Sequence, residues 1–318
     1  MSKIKSTKVV ISTSFNPFLN LALEEYIYNN FAGDKVILYL WQNEQAVVVG
    51  RNQNPWQETR PELLKKSGCH LVRRQSGGGA VYHDTGNLNF TLLMSDEHYD
   101  EDRQFTFLQE ALQGVGIKAQ KSGRNDLLVK GKKISGSAFY RGQNQSYHHG
   151  TLLLDSNLEN LRKYLQPSLA GLDVRGVKSV SSPVINLTEI EPSLTVSDLK
   201  KTLQKSLSRF YAPLKEVQEK NPENMTDNHK FKKLFNKYLA RKWILGKTPS
   251  FKLKIEFNIP PEIKQIALRV EIKKGMVHQL NFLKGKKKLS PQNKKELKEN
   301  LLGKYFSYCK LEKSLKNI

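Results

Sequence analysis

Strand-like runs follow one another through the first two-thirds of the chain, and short turns separate several of them. Helical patterns are inserted between some strands; one has apolar residues at helical spacing and begins at the start signal Asn16-Pro17. Strands in runs with helices inserted are typical of an α+β fold, not of a strict βαβ repeat. We therefore predict mixed β-sheets with flanking helices. The first predicted strands are KVVIS (8–12), KVILYLWQ (35–42), AVVVGR (46–51), HLVRR (70–74), AVYH (80–83) and NLNFTLLM (87–94).

The pattern restarts near Phe251, after a polar stretch at 218–230 and a linker-like segment at 247–251. A strand, a hairpin and a helix opened by Ser-Pro are predicted beyond it. We predict a large domain over 1–246 and a small basic α+β accessory domain over 247–318. Residues 248–318 hold 17 Lys or Arg and six Asp or Glu, which is half of the chain's net charge.

The net charge of +22 over 318 residues is the one unusual feature of the composition. It indicates either a polyanionic or acidic partner or a surface of solvated lysines. The sequence shows no zinc-finger spacing and no aromatic-interleaved basic stretch of the RNA-stacking kind. It also has no apolar run of the roughly 18 residues that a membrane span needs. With no leader pattern at the N-terminus and only Cys69 and Cys309 present, we expect a cytoplasmic protein.

Three consecutive glycines stand in RRQSGGGAVYHDTGNLNF (73–90). Glycine loses the most backbone freedom on folding, so such a run predicts a close approach to the main chain or a very tight turn. Bare N–H groups beside Arg73 and Arg74 suit an anion. The spacing matches neither the dinucleotide fingerprint nor the P-loop. A glycine-rich hairpin is the alternative interpretation.

A lysine cluster stands in SGRNDLLVKGKKISGSAFYR (122–141). Lys133 precedes small residues in a predicted strand, where its ammonium could lie along a narrow cleft and hold a carboxylate or phosphate. A solvated turn lysine is the alternative, and it suits Lys130 and Lys132 better. Asn125 and Asp126 could contact ribose, adenine or magnesium, or cap a turn.

The pair His148 and His149 precedes the strand GTLLLD, but no further ligands stand at metal-site spacing. We therefore favour pocket-lining or hydrogen-bonded roles for these histidines. Neither cysteine lies in a motif, so thiol catalysis has little support.

Taken together, these segments resemble the lipoate–protein ligase A family over nearly the whole chain, more weakly beyond Phe251. The matching segments, in order, are FNPFLNLALEEYI (15–27), VVVGRNQNPWQE (47–58), RRQSGGGAVYHDTGNLNFT (73–91), SGRNDLLV (122–129), KKISGSAFY (132–140), HHGTLLLD (148–155), GVKSVSSPVINLTEI (176–190) and RKWILGKTPSF (241–251).

The resemblance implies a catalytic domain over 1–246 of the biotin/lipoate-ligase type and an enzyme that forms lipoyl-AMP from lipoate and ATP. Mg²⁺ is implied with the ATP. The implied acceptors are lysines on acidic lipoyl domains of 2-oxoacid dehydrogenase E2 subunits or on the glycine cleavage H protein; octanoate is a further candidate substrate. No membrane partner is implied.

The family's ATP and lipoyl-AMP contacts fall on Arg74, Gly79, Ala80, Val81 and Tyr82. Its central catalytic lysine, which touches both lipoate and nucleotide, falls on Lys133. The lipoate pocket is expected to include Ser76, Gly77, Gly78, Ser135, Gly136 and His149, with Asn125 and Asp126 beside the nucleotide or magnesium. Protein ligands to a metal are not otherwise expected.

Three other functions stay open at this stage. One is a lipoyltransferase that uses only preformed lipoyl-AMP. Another is an acyltransferase with a cysteine nucleophile, which the positions of Cys69 and Cys309 do not favour. The third is a basic nucleic-acid-binding protein built on a degenerate ligase fold.

Overall fold

The structure is a computed structural model that describes residues 3–123, 125–166, 172–174, 177–259, 264–283 and 289–316. Arg124 and Gly176, which belong to two of the segments quoted above, lie outside the described residues. No helix in the described ranges is long and apolar enough to cross a bilayer.

Strands and helices are numbered in chain order. The strands are β1 (Ser6–Ser12), β2 (Lys35–Trp41), β3 (Ala46–Val49), β4 (His70–Arg73), β5 (Val81–His83), β6 (Asn87–Ser95), β7 (Gln120–Lys121), β8 (Asp126–Val129), β9 (Lys132–Arg141), β10 (Gln145–Leu153), β11 (Leu172–Val174), β12 (Leu214–Lys220), β13 (Phe251–Ile259), β14 (Lys264–Lys273) and β15 (Met276–Phe282). The α-helices are α1 (Pro17–Asn29), α2 (Pro55–Glu58), α3 (Pro61–Lys66), α4 (Glu101–Gln113), α5 (Leu158–Tyr164), α6 (Val196–Phe210), α7 (His229–Leu239), α8 (Arg241–Ile244), α9 (Pro291–Leu301) and α10 (Tyr308–Lys316).

The largest sheet has the order β12-β1-β2-β6-β10-β9-β8-β7. β1 pairs in parallel with β12 and β2, whereas β6 and β8–β10 pair antiparallel, so the sheet is mixed as predicted. One apolar core lies between this sheet and helices α4 and α6, and a second lies between the sheet and helices α1 and α7. Because both faces are covered, central strand β6 is buried at eight of its nine positions.

The helix ends follow the capping residues in the sequence. Asn16 accepts from the Phe18 and Leu19 N–H groups at the start of α1, as predicted. Thr195 forms a capping box with Asp198 at the start of α6. Helix α4 begins at Glu101, where Asp100 caps the helix and acidic residues favour its first turn.

A three-stranded sheet of order β4-β3-β5 carries the glycine segment in the turn between β4 and β5. Arg73, at the end of β4, is fully buried and binds residues on both sides of the predicted domain boundary at 246/247. Its Nε donates to the Ile244 carbonyl at 2.8 Å and its Nη2 donates to Thr248 Oγ1 at 3.2 Å. The predicted linker is thus held against the larger part of the protein.

The C-terminal region forms a sheet of order β11-β13-β14-β15, packed against α9 and α10. The predicted hairpin is present, with Lys274 and Gly275 both at positive φ in its turn. This sheet takes β11 from well before residue 247, which the sequence pattern did not indicate. Trp56 of α2 also packs in this core, 5.5 Å from the Phe306 ring.

Candidate active site

A cavity of about 490 Å³ lies beside the glycine segment, within the size range usual for small-molecule sites. Strands β2, β9 and β10 and the segment after β11 complete its wall. The wall includes Gly77–Val81, Trp41, Lys133, Gly136–Phe139, His149–Thr151, Lys178–Val180 and Ser182.

The cavity brings together most of the site residues that the sequence predicts. Those that line it are Arg74, Gly77, Gly78, Gly79, Ala80, Val81, Asn125, Asp126, Lys133, Gly136 and His149.

Three predicted residues do not line the cavity. Ser76 lies behind the wall, and Ser135 is fully buried. The Tyr82 side chain packs beside Tyr164, with ring centroids 5.7 Å apart, since successive side chains of a strand point to opposite faces. The prediction that these side chains contact substrate directly therefore finds no support in the geometry.

Several lining residues were not predicted. His83 and Thr151 stand inside quoted segments, so their motifs were a usable signal. Lys178 stands inside the quoted segment 176–190 in the same way, whereas Trp41 lies in none of the family-matching segments.

The buried guanidinium of Arg74 holds the glycine segment in its observed conformation. Nε donates to Ser76 Oγ at 3.0 Å, and Nη2 donates to the Gly77 and Gly79 carbonyls at 2.5 and 2.7 Å. Nη1 donates to the Val48 carbonyl at 3.1 Å. Burial lowers the Arg74 pKa to about 10, so the group stays charged at neutral pH. Most of its N–H donors are therefore used in hydrogen bonds that stabilise the cavity wall.

The three glycines differ in what surrounds the position of a Cβ atom. Gly78 has φ +82°, in the left-handed region, and a Cβ there would lie 3.0 Å from Arg74 Nη2. A Cβ on Gly79 would lie 3.0 Å from Ser179 Oγ. A Cβ on Gly77 would meet nothing within 4 Å, so this position borders open space. The bare main-chain wall that the sequence predicts is present.

A chain of buried hydrogen bonds joins the wall to the opposite side of the cavity. Because Ser76 accepts from Arg74, its hydroxyl can donate to His149 Nε2 at 2.7 Å. The ring hydrogen then lies on His149 Nδ1 and is donated to Glu24 Oε1 at 2.8 Å. Thr91 Oγ1 donates to the same carboxylate oxygen at 2.7 Å. His149 is thus fixed in orientation, in agreement with its predicted hydrogen-bonded role.

His83 lines the cavity, and hydrogen bonds to its ring fix the position of the ring hydrogen. Asn20 Nδ2 donates to Asn43 Oδ1 at 3.0 Å, which orients Asn43 so that its Nδ2 donates to His83 Nδ1 at 3.0 Å. The ring hydrogen therefore lies on Nε2, which is buried and has no hydrogen-bond partner in the described part of the chain. Burial, with Arg74 and His149 nearby, lowers the His83 pKa to about 3. The neutral ring therefore carries one buried N–H group without a partner among the described residues.

Lys133 stands in the cavity wall beside a carboxylate. Its Nζ lies 2.8 Å from Asp126 Oδ1. Its backbone N–H donates to the Pro183 carbonyl and its carbonyl accepts from Ile185, so the residue is anchored on both sides. A Cβ on Gly136 would lie 2.9 Å from Lys133 Nζ, so a larger residue here would displace the ammonium from its observed position. This is the narrow cleft beside small residues that the sequence predicts.

His148 points away from the cavity into an aromatic cluster. It is fully buried, its ring centroid lies 4.7 Å from that of Phe139, and neither ring nitrogen has a partner within the described ranges. Burial, with a lesser contribution from His149, lowers its pKa to about 3. The folded protein therefore keeps this ring neutral between pH 3 and 6.5, whereas the unfolded chain protonates it.

We expect the free energy of unfolding to fall as the pH drops below 6.5, by about 1.4 kcal/mol per pH unit from His148. At pH 5, His148 should lower the free energy of unfolding by about 2 kcal/mol relative to its value at pH 7.5. Urea unfolding of the wild type and His148→Leu at both pH values measures the effect. Between pH 7.5 and pH 5, the free energy of unfolding of the variant should fall by about 2 kcal/mol less than that of the wild type. An equal fall in both proteins would contradict the assignment of this pH dependence to His148.

The cavity thus combines a bare glycine wall with an anchored strand lysine on a mixed sheet. The family profile described as the lipoyl protein ligase A/B catalytic domain matches residues 16–208, which include every residue that lines the cavity. The chain belongs to this family.

Individual relatives agree with that assignment. A lipoate-protein ligase A of Bdellovibrio bacteriovorus is 37% identical over 307 residues, covering 95% of this chain and 89% of the relative. The crystal structure of P. falciparum LipL1 in complex with lipoate has a TM-score of 0.68 and 28% identity, covering 98% of this chain and 95% of that one. A lipoate-protein ligase A bound with ATP has a TM-score of 0.62 and 26% identity, covering 75% of this chain and 98% of that one. The predicted family, the α+β fold and the enzyme class, a lipoate–protein ligase, are confirmed.

Proposed function

We propose that this chain activates lipoate with ATP to give lipoyl-AMP and pyrophosphate, and then transfers the lipoyl group to a lysine of an acceptor domain. The observation that carries the proposal is the position of the Lys133 ammonium in one cavity with the bare wall of Gly77–Gly79. The wall lets an acyl chain and a nucleotide approach the main chain without an intervening side chain. The ammonium is a point charge that several oxygens can share.

In the first half-reaction, a carboxylate oxygen of lipoate attacks the α-phosphorus of ATP, and the bond to the oxygen bridging the α- and β-phosphorus atoms breaks. Lys133 orients the carboxylate towards the α-phosphate and balances the charge that both groups bring. The observed ion pair with Asp126 holds the ammonium in position before the substrates bind. His83 Nε2–H supplies a further neutral donor to an acceptor atom of the ligand.

In the second half-reaction, the amine of the acceptor lysine attacks the carbonyl carbon of lipoyl-AMP. The bond to the AMP oxygen breaks, AMP leaves with the electron pair, and the new amide nitrogen loses a proton. Lys133 stabilises the oxygen charge that develops. A thiol intermediate is not required: neither cysteine lines the cavity, and burial raises the pKa of Cys69 to about 12.

Magnesium fits this site as a companion of the triphosphate. Among the described lining residues, Asp126 supplies a carboxylate, and only one of its oxygens is shown paired with Lys133. One carboxylate together with substrate phosphates is a usual way for proteins to hold Mg²⁺. When bound, the ion would neutralise phosphate charge.

We further propose that the acceptor is an acidic lipoyl domain of an E2 subunit or an H protein, attracted by the net charge of +22. The division into a catalytic part, 1–246, and a basic accessory part, 247–318, and a cytoplasmic location belong to the same proposal. The unpaired cysteines agree with a reducing compartment.

Charge attraction of this kind makes transfer sensitive to salt. Raising NaCl from 50 to 300 mM should increase the KM for the acceptor domain several-fold, because screening weakens long-range attraction. The KM for lipoate should change little in the same titration. An acceptor KM that stays constant would argue against charge steering.

Pyrophosphate release with ATP and lipoate, followed by lipoylation of an E2 lipoyl domain, tests the proposed function. Release that depends on lipoate supports the complete ligase. Lipoylation only from supplied lipoyl-AMP would instead assign a transferase. Neither activity, with salt-sensitive RNA binding, would assign a nucleic-acid-binding protein.

A further inference from the structure

We propose that Lys178 binds the pyrophosphate that leaves during adenylation. It would be a second catalytic cation, which acts on the first half-reaction alone. The inference rests on the proposed function, because it assumes that ATP reacts in the cavity.

Lys178 lies where its side chain can reach phosphate groups at the open edge of the cavity. It lines the wall and is exposed. The next residue, Ser179, anchors the segment: its Oγ accepts from the Ala80 N–H at 2.8 Å and from Gln53 Nε2 at 3.2 Å. Its N–H donates to the Glu58 carboxylate. The Lys178 backbone is therefore held beside the glycine wall while the side chain stays in solvent.

The charges of the cavity wall point to the same residue. Its Lys and Arg residues in the described ranges are Arg74, Lys133 and Lys178. Most N–H donors of Arg74 bind carbonyl groups of the wall, and Lys133 is paired with Asp126. No described residue forms an ion pair or hydrogen bond with the Lys178 ammonium. Lys178 is thus the lining cation that remains available for an incoming polyanion.

The chemistry of adenylation provides a role for such a cation. When the carboxylate attacks the α-phosphorus, the bridging oxygen departs with its electron pair and becomes part of pyrophosphate. Negative charge then grows on that oxygen, away from the forming acyl-phosphate bond. A lysine ammonium can follow the departing group because it is a flexible point charge. During transfer from lipoyl-AMP, pyrophosphate is absent, so Lys178 has no corresponding role.

The variant Lys178→Gln separates these two half-reactions. We expect kcat/KM for ATP in pyrophosphate release to fall by about 10- to 100-fold. This loss is smaller than that expected for removal of a fully buried donor, because solvent and salt screen an exposed charge. Pyrophosphate should bind at least about tenfold more weakly, measured as product inhibition and by calorimetry. Transfer from supplied lipoyl-AMP should stay within about twofold of wild type.

Two controls make the result specific. Lys132→Gln removes an exposed lysine that is not among the residues lining the cavity and should leave all three measurements unchanged. Lys178→Arg keeps the charge and should retain most of the adenylation rate.

Three outcomes would overturn the inference. If the wild type releases pyrophosphate and Lys178→Gln releases it with the same kcat/KM for ATP, Lys178 has no role in adenylation. The proposed function then stands without this inference. If transfer from lipoyl-AMP is reduced as much as pyrophosphate release, Lys178 has a structural role in the cavity wall and does not act on pyrophosphate. A wild type that releases no pyrophosphate would remove both the proposed function and this inference.

Discussion

Lys133→Ala is expected to reduce lipoylation by at least about 10³-fold while the protein remains folded. The variant removes the charge that orients the carboxylate and stabilises both transition states, so both half-reactions should fail. Folding should survive, because the ion pair with Asp126 is partly exposed, with 24% of the Lys133 side chain accessible. Such a pair contributes about 1 kcal/mol or less to stability.

Pyrophosphate release and transfer from supplied lipoyl-AMP measure the two half-reactions of this variant separately. Lys132→Ala is the matched control, since Lys132 is the exposed neighbour on the same strand. Circular dichroism and the unfolding midpoint check that the variant is folded. A folded Lys133→Ala protein within tenfold of wild type would remove Lys133 from its catalytic role.

Gly77→Val should lower kcat/KM for lipoate by about 10²-fold, because three methyl-sized groups would project into the cavity. A Cβ at Gly77 meets nothing within 4 Å, and its φ lies outside the left-handed region, so the backbone tolerates the side chain. The sequence alone would suggest Gly78→Val for this test. Gly78 has φ +82°, however, so that variant would strain the wall as well as fill it.

Gly123→Val is the matched control for Gly77→Val. Gly123 also has open space around its Cβ position and an ordinary φ, and it does not line the cavity. Lipoate binding by calorimetry should be weakened about 100-fold in the first variant and unchanged in the second. Unchanged binding in Gly77→Val would show that the acyl chain does not pass this wall.

Local signals predicted the parts of the site that lie close together in the sequence. The glycine triplet predicted the bare wall, and the small residues after Lys133 predicted its cleft. Asn16 predicted the start of α1, because capping depends on neighbours two or three residues away.

Long-range pairings could not be predicted in the same way. β12 (LKEVQEK) has apolar residues only at Leu214 and Val217, so it lacks the alternation typical of a strand. It pairs in parallel with β1, more than 200 residues earlier, so no local turn specifies its register. Likewise, nothing near Leu172–Val174 indicates that it joins β13. Arg74 stays a predicted nucleotide contact, but the sequence did not indicate that most of its donors bind carbonyls that a folded turn brings within reach.

The most direct test of the central claim is a crystal structure with a non-hydrolysable lipoyl-AMP analogue. The analogue should lie in the cavity against Gly77–Gly79, with the Lys133 ammonium within about 3 Å of its acyl or phosphate oxygens. An analogue bound at any other place, or a Lys133 ammonium that contacts only Asp126, would contradict the mechanism.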